Sequence, residues 1–399
     1  MIRTNMEFSD EDYKDKILGC LMCGAYGDAL GYPIEFMSDV EIRKNFGPEG
    51  LQEPILRSGN MRFSDDTQMT MLATNSLIYR DTRLHTRGIA TLPHIVSYNA
   101  YRCWARMMTG LSELDSFAQR RIWVLKIPEM TESRAPGNTC MTQLLNHEEL
   151  GTIENRCSNS KGCGGVMRVA PYGLHMDLES AIEFAVLDAV STHGHELGWL
   201  TAGLFAGIIN CCMNGKSLEE SINATISQMS EGYGKYDHWD ELVQLMERVI
   251  KASEDSKVTG NVNIRQFGEG WVAEETLSMA VYSCLVYGSD VRSALYTAVN
   301  HGGDSDSVGS IAGNICGVLY GYEAISKQLD FSNLECKEII ERLAEDLSIQ
   351  FDESDVWSYV YICGNIPPSL GHYLPPGFLL EHNAPCPYYH LPGEKKNED

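Results

Sequence analysis

Two short acidic stretches carry the residue types from which a divalent-cation site is built: Ser64-Asp65-Asp66-Thr67 and Asp304-Ser305-Asp306-Ser307. Each opens a segment with helical apolar spacing, through Met69, Leu72 and Ala73 in one and Val308, Ile311, Ala312 and Ile315 in the other. Ser64 is placed to cap its helix. Asp65 and Asp66 then fall in the first turn, where the helix dipole favours negative charge by roughly 0.3–1 kcal/mol each. Taken singly, either stretch is an ordinary helix start. If the two meet in space, each close pair among Asp65, Asp66, Asp304 and Asp306 repels by about 4 kcal/mol at roughly 4 Å in an effective dielectric near 20. Protonation of some carboxylates relieves this, and so do bound divalent cations. Ser64, Thr67 and Ser307 add neutral oxygens, no Cys lies in either stretch, and the only nearby imidazole is His301. Such a hard donor set selects Mg2+, Mn2+ or Ca2+ over zinc, and four carboxylates match the charge of two such ions.

The elements that must position these groups read as helices. About a dozen segments show helical spacing and none shows sustained period-two alternation. The expected fold is therefore all-α, a compact single-domain bundle of about a dozen or more helices. The expected domain runs over 1–365, with a Pro-rich wrapping segment and charged tail over 366–399. With 399 residues and 43% hydrophobic content the chain can bury a sizeable core. Its net charge of −24 repels phosphate backbones, which argues against nucleic-acid binding and suits a protein that gathers cations. No apolar run follows a basic N-terminus and no stretch nears 18 uninterrupted apolar residues, so neither a signal peptide nor a membrane span is expected and the cytoplasm is the expected compartment. The thirteen cysteines have no regular spacing. Several, including Cys20, Cys284 and Cys316, sit in apolar helical patterns and read as reduced core residues. Cys20 and Cys23 lack a second Cys-x-x-Cys partner and read as packing.

Four further stretches are candidates. In Gly27-Asp28-Ala29-Leu30-Gly31-Tyr32-Pro33-Ile34-Glu35 the proline forces the chain out of a helix and leaves Glu35 on a loop, where alone it reads as a solvated carboxylate. Pro136-Gly137-Asn138-Thr139 is a plain turn, or a turn whose free N–H groups hold a phosphate or ribose. The glycine-dense Gly162-Cys163-Gly164-Gly165-Val166-Met167-Arg168 suits close approach of a ligand to backbone, but it lacks the ending of a Walker loop and follows no strand. Thr192-His193-Gly194-His195 has no partners at zinc spacing, so His193 reads as a helix-end or pocket hydrogen-bond donor. Trp271, in Gly270-Trp271-Val272-Ala273-Glu274-Glu275, reads as packing.

These stretches, in this order from residue 27 to residue 307, resemble the ADP-ribosylglycohydrolase family, whose relatives include the dinitrogenase reductase-activating glycohydrolase. The resemblance covers roughly residues 14–325. It implies an all-α domain with two Mg2+ ions, or Mn2+, at the bottom of an ADP-ribose cleft. It implies Ser64, Asp65, Asp66, Asp304, Asp306 and Ser307 as metal ligands, with Glu35, Asp65 and Asp304 as the catalytic set and Glu35 on a mobile loop. Gly137, Asn138, Thr139, Gly162, Gly164, Gly165, Met167 and His193 are the substrate-binding residues that follow from it. Two departures stand out: Ser307 replaces a usual threonine, and Gly162-Cys163-Gly164-Gly165-Val166 replaces a version with Asn and Ala. The implied activity is hydrolysis of the bond from the anomeric carbon of a protein-linked ADP-ribose, by a monomer whose partner is the modified protein. The alternatives are a non-catalytic ADP-ribose-binding, structural or immunity protein of the same fold, and a di-metal hydrolase of a free ADP-ribose derivative.

Overall fold

Ser9 starts the fold with a capping box, its hydroxyl accepting from the Asp12 N–H while the Asp12 carboxylate accepts from the Ser9 N–H. The computed structural model describes residues 9–111, 117–146 and 149–373. Ser9 leads into α1 (Asp10–Gly31), followed by α2 (Asp39–Phe46), α3 (Asp65–Arg87), α4 (Pro93–Met108), α5 (Phe117–Arg121) and α6 (Asn138–Asn146). Next come α7 (Ala170–His175), α8 (Leu178–Val190), α9 (Glu196–Met213), α10 (Leu218–Tyr233), α11 (Trp239–Thr259) and α12 (Ala273–Tyr287). The series ends with α13 (Val291–Val299), α14 (Ser305–Tyr320), α15 (Tyr322–Ile325), α16 (Lys337–Ile349) and α17 (Asp355–Trp357). The all-α expectation holds: the described residues contain no strand, only isolated bridges such as Met61 with Leu334 and Gly162 with Val272.

α1 and α14 form the most extensive helix pair and pack closely from Gly31 against Ser305 to Gly19 against Gly317. α1 is buried from Gly19 to Gly31 and α14 from Ser305 to Val318, the state of helices enclosed by others. Glycine is what lets them approach. A Cβ on Gly27 would overlap the carbonyl oxygen of Gly309, one on Gly309 that of Gly27, and one on Gly317 that of Gly19. We expect Gly309→Ala to lower stability by about 3 kcal/mol, since the obstruction is rigid backbone that cannot move aside like a side-chain tip. A urea midpoint unchanged from the parent protein would show that the helices can part without cost.

One continuous core runs from Tyr13 to Leu370, so Ile366 and Leu370 belong to the packed domain. The rest of the expected wrapping segment and tail, from 374 onward, lies outside the described residues. By length and composition Asp10–Ile34 and Glu196–Met213 are apolar enough to cross a membrane, but 83% and 100% of these windows are buried, as befits core helices. Cys20, Cys23, Cys284 and Cys316 are free and buried, as expected. Cys363 departs from the reduced pattern and is disulfide-bonded.

Candidate metal centre

The first wall of the site is the start of α3, and Asp28 of α1 holds it in place. This fully buried carboxylate accepts from the Ser64 N–H at 2.8 Å, the Thr67 N–H at 3.0 Å and the Thr67 hydroxyl at 2.6 Å. Ser64 caps the helix by accepting from the Asp66 N–H at 3.2 Å, and its hydroxyl reaches Asp66 Oδ2 at 3.3 Å. Arg134, 1% exposed, donates to the Phe63 carbonyl at 3.1 Å and pairs with Glu132 and Glu335. Its own carbonyl accepts from the Asp65 N–H at 3.3 Å. Sequence reasoning gave no role to Asp28 or Arg134. For Asp28 the signal was present: a lone acid inside an apolar, glycine-rich helical run must be hydrogen-bonded if buried.

The second wall is the start of α14. Asp304 caps it by accepting from the Ser307 N–H at 3.3 Å, while the Asp304 N–H donates to the Glu269 carbonyl at 2.9 Å. The two acidic stretches do converge with Glu35. Glu35, Asp304 and Asp306 each offer a carboxylate oxygen within 4.8 Å of the others, and all three are buried. Glu35 is only 7% exposed, contrary to its reading as a solvated loop acid, because the short helical turn Tyr32–Ile34 turns the chain inward at Pro33. Asp65 and Asp66 lie in the same electrostatic field, since the charge of Asp306 acts on both. The Ser307 hydroxyl lies 4.0 Å from the Met167 sulfur, which places Met167 beside this wall.

Burial, and then the charge of Asp306, push Asp28 up to about 7 and Glu35 up to about 11. Burial likewise raises Asp65, Asp66 and Asp306 far above the ordinary carboxylate range, with neighbouring acids adding to it. Among the described residues no Lys or Arg pairs with any of these five acids or with Asp304, the cations nearby being engaged elsewhere: Arg134 with Glu132 and Glu335, Lys161 with Glu274 and Arg168 with Asp188. Three buried carboxylate oxygens, Glu35 Oε2, Asp66 Oδ1 and Asp304 Oδ2, have no hydrogen-bond partner. A buried, unpartnered, all-oxygen cluster of this kind requires either protons or hard divalent cations, so the residues present fit Mg2+ or Mn2+.

Backbone surrounds the cluster. The Gly137 N–H donates to Asp65 Oδ2 at 3.3 Å, and Asn138 and Thr139 open α6 beside it, with Gly137 and Asn138 exposed. The Thr139 hydroxyl donates to that of Ser160 at 3.1 Å, which joins this turn to the glycine loop. The loop is tied in turn to the segment before α12, the Cys163 N–H donating to the Trp271 carbonyl at 3.3 Å and the Ala273 N–H to that of Lys161 at 2.8 Å. Behind the loop stands His193, 2% exposed. A Cβ on Gly164 would lie 2.7 Å from Cys140 Sγ and 3.0 Å from His193 Cε1, and one on Gly162 or Gly165 would lie 3.4 Å from the imidazole. Arg168 braces this layer by donating to the Gly164 carbonyl at 3.0 Å and the Thr192 hydroxyl at 3.0 Å, and Thr192 Oγ1 lies 2.8 Å from His193 Nδ1. Burial, and then the Arg168 charge, push His193 down to about 3, so the ring is neutral.

A family model described as ADP-ribosylglycohydrolase matches residues 9–356. The chain is 27% identical over 340 residues to an uncharacterized protein of Archaeoglobus fulgidus, covering 84% of this chain and 96% of that one. It is 27% identical over 370 residues to the ADP-ribosylhydrolase ARH3 of Mus musculus, covering 84% and 92%. It is 22% identical over 325 residues to the ADP-ribosyl-(dinitrogen reductase) glycohydrolase of Rhodospirillum rubrum, covering 78% and 87%. A solved structure described as an ADP-ribosylglycohydrolase-related protein complex matches with a TM-score of 0.52 at 22% identity, over 85% of this chain and 99% of that one, a likeness of fold. Because the family match runs unbroken through both acidic helix starts, the turn before α6 and the glycine loop, the chain belongs to the ADP-ribosylglycohydrolase family.

Proposed function

We propose that this family member is a divalent-metal-dependent hydrolase that frees ADP-ribose from modified proteins by cleaving the bond between the anomeric ribose carbon and a side-chain nitrogen or oxygen. The observation that carries this reading is the set of six buried acids without a cationic partner, three of them with an orphaned oxygen, beside the exposed turn at Gly137 and Asn138. Ser64, Asp65, Asp66, Asp304, Asp306 and Ser307 would hold two Mg2+ or Mn2+ ions. When bound, such ions polarise hydroxyl groups and a water and stabilise developing negative charge. Asp28 and Arg134 keep the start of α3 in register for that task. Glu35 carries an unpartnered oxygen among the acids and, with cations bound in place of its proton, would serve as the proton acceptor for the attacking water. The backbone of 137–139 and 162–165 supports the diphosphate and the adenosine ribose, with Met167 and His193 lining and backing that side.

The test is a panel of proteins bearing ADP-ribose through arginine, serine or other linkages, with free ADP-ribose as the product measured. Catalytic release from at least one linkage is the expected result. Tight binding of ADP-ribose without release would instead leave a binding protein of this fold, and turnover confined to a free ADP-ribose derivative would identify the other hydrolase.

A further inference from the structure

Glu35 makes no hydrogen bond among the described residues, yet its carboxylate is held inward, within 4.8 Å of those of Asp304 and Asp306. Something other than its own carboxylate must keep it there. The next residue, Phe36, is 73% exposed, and its ring stacks on Trp271 with centroids 5.9 Å apart and planes 19° apart. Trp271 stands on a rigid base. The Glu269 and Gly270 N–H groups both donate to Glu275 Oε2, at 3.0 and 3.2 Å, and the Gly270 carbonyl accepts from the Thr276 hydroxyl at 2.6 Å. The Glu269 carbonyl accepts from Asp304 itself, and the Trp271 carbonyl from Cys163 of the glycine loop. On the other side, residues 32–38 form a short bridge between the end of α1 and the Ser38 cap of α2, made of the helical turn Tyr32–Ile34 and a bond from the Met37 N–H to the Ile34 carbonyl at 2.9 Å. Ile34 and Met37 pack into the core on either side of this segment, and between them the Phe36 ring adds a contact at the rim with a fixed post.

We propose that the Phe36–Trp271 stack positions Glu35, acting as a latch that holds its carboxylate against the acidic centre and affects the reaction only through that residue. This rests on the hydrolytic reading of the centre. An aromatic pair of this kind is weak enough to open and close, changing the open population by roughly twofold to tenfold. Both rings are partly exposed, so opening leaves their faces available to an arriving substrate.

The latch can be tested without substrate. Of the six tryptophans, Trp271 is 38% exposed and the other five are 7% or less, so acrylamide quenching of intrinsic fluorescence reports Trp271. In Phe36→Ala the quenching constant should rise, and carbodiimide labelling of Glu35, followed by peptide mass spectrometry, should quicken by about twofold to tenfold. Phe36→Tyr keeps the ring and should match the parent protein in both, while Trp271→Phe should remove most of the quenchable signal. Unchanged labelling of Glu35 in Phe36→Ala overturns the latch, whatever the enzyme's activity. With an active substrate in hand, Phe36→Ala should lower kcat by a similar factor, and Glu35→Gln/Phe36→Ala should be no slower than Glu35→Gln alone. Additive losses in that double variant would also overturn the inference, because the stack would then act independently of Glu35. A parent protein that releases no ADP-ribose would sink the hydrolytic reading and leave the quenching and labelling results to decide the latch.

Discussion

Asp304→Asn is expected to lower ADP-ribose release by at least about a thousandfold while making the metal-free protein more stable. The loss follows from the several kcal/mol of transition-state stabilisation that a divalent ion supplies, which depends on the full charge of its ligands. The gain follows from the same charge. Asp304 is buried beside Asp306 and Glu35 with Oδ2 unpartnered, so in the metal-free state it is a source of repulsion. Asparagine keeps an oxygen to accept from the Ser307 N–H, so the cap of α14 survives and the cost of about 1 kcal/mol that alanine would incur there is avoided. Opposite signs for stability and activity are the mark of a residue kept for function. Three measurements check this: titration calorimetry with Mg2+, melting in chelator, and product release. An Asp304→Asn protein that still binds Mg2+ and turns over within tenfold of the parent would show that the acids at the α14 start are helix caps and nothing more.

Local chemistry was legible in the sequence wherever a residue's role is set by its chain neighbours. The Ser64 cap, the acids of the first turns and the α13 segment 291–299 all follow from short-range rules, and each is found in place. Glu35 alone reads as a solvated acid, and only the family resemblance sets it at the centre, because burial of a loop acid is decided by what packs over it, here the α14 start, far away in the chain. The register of α1 against α14 was equally hidden. It depends on glycines at 19, 27, 309 and 317 meeting backbone to backbone, and neither an apolar period nor a turn rule reports that. Trp271 was expected to pack, and it does stack, but on an exposed partner at the rim of the site, a distinction that requires the fold. His193 fits the expectation of a helix-end group, yet its neutral state is set first by burial and then by the Arg168 charge, and neither can be read from a local motif.

Chelation should leave a protein whose stability falls as pH rises, and Mg2+ should remove that dependence. The acids of the centre have folded-state pKa values above their unfolded ones, so between the two values the folded chain holds protons that the unfolded chain has released. Unfolding free energy then declines with rising pH, by roughly 1.4 kcal/mol per unit for each such group. For Asp28, pushed up to about 7, the decline ends near neutrality, whereas for Glu35, pushed up to about 11, it continues through pH 8. From pH 6 to pH 8 in EDTA the stability should drop by about 3 kcal/mol or more, read from urea midpoints at each pH. Mg2+ must displace those same protons to bind, so its affinity has the reverse slope and should strengthen about tenfold per unit rise in pH for each proton displaced. Saturating Mg2+ should therefore stabilise the protein most at pH 8 and least at pH 6, with ADP-ribose release absent in EDTA at every pH and restored by Mg2+ or Mn2+. A metal-free protein that grows more stable from pH 6 to pH 8 would mean that these acids tolerate ionisation without a counter-ion, and the physical case for a cation at this centre would be lost.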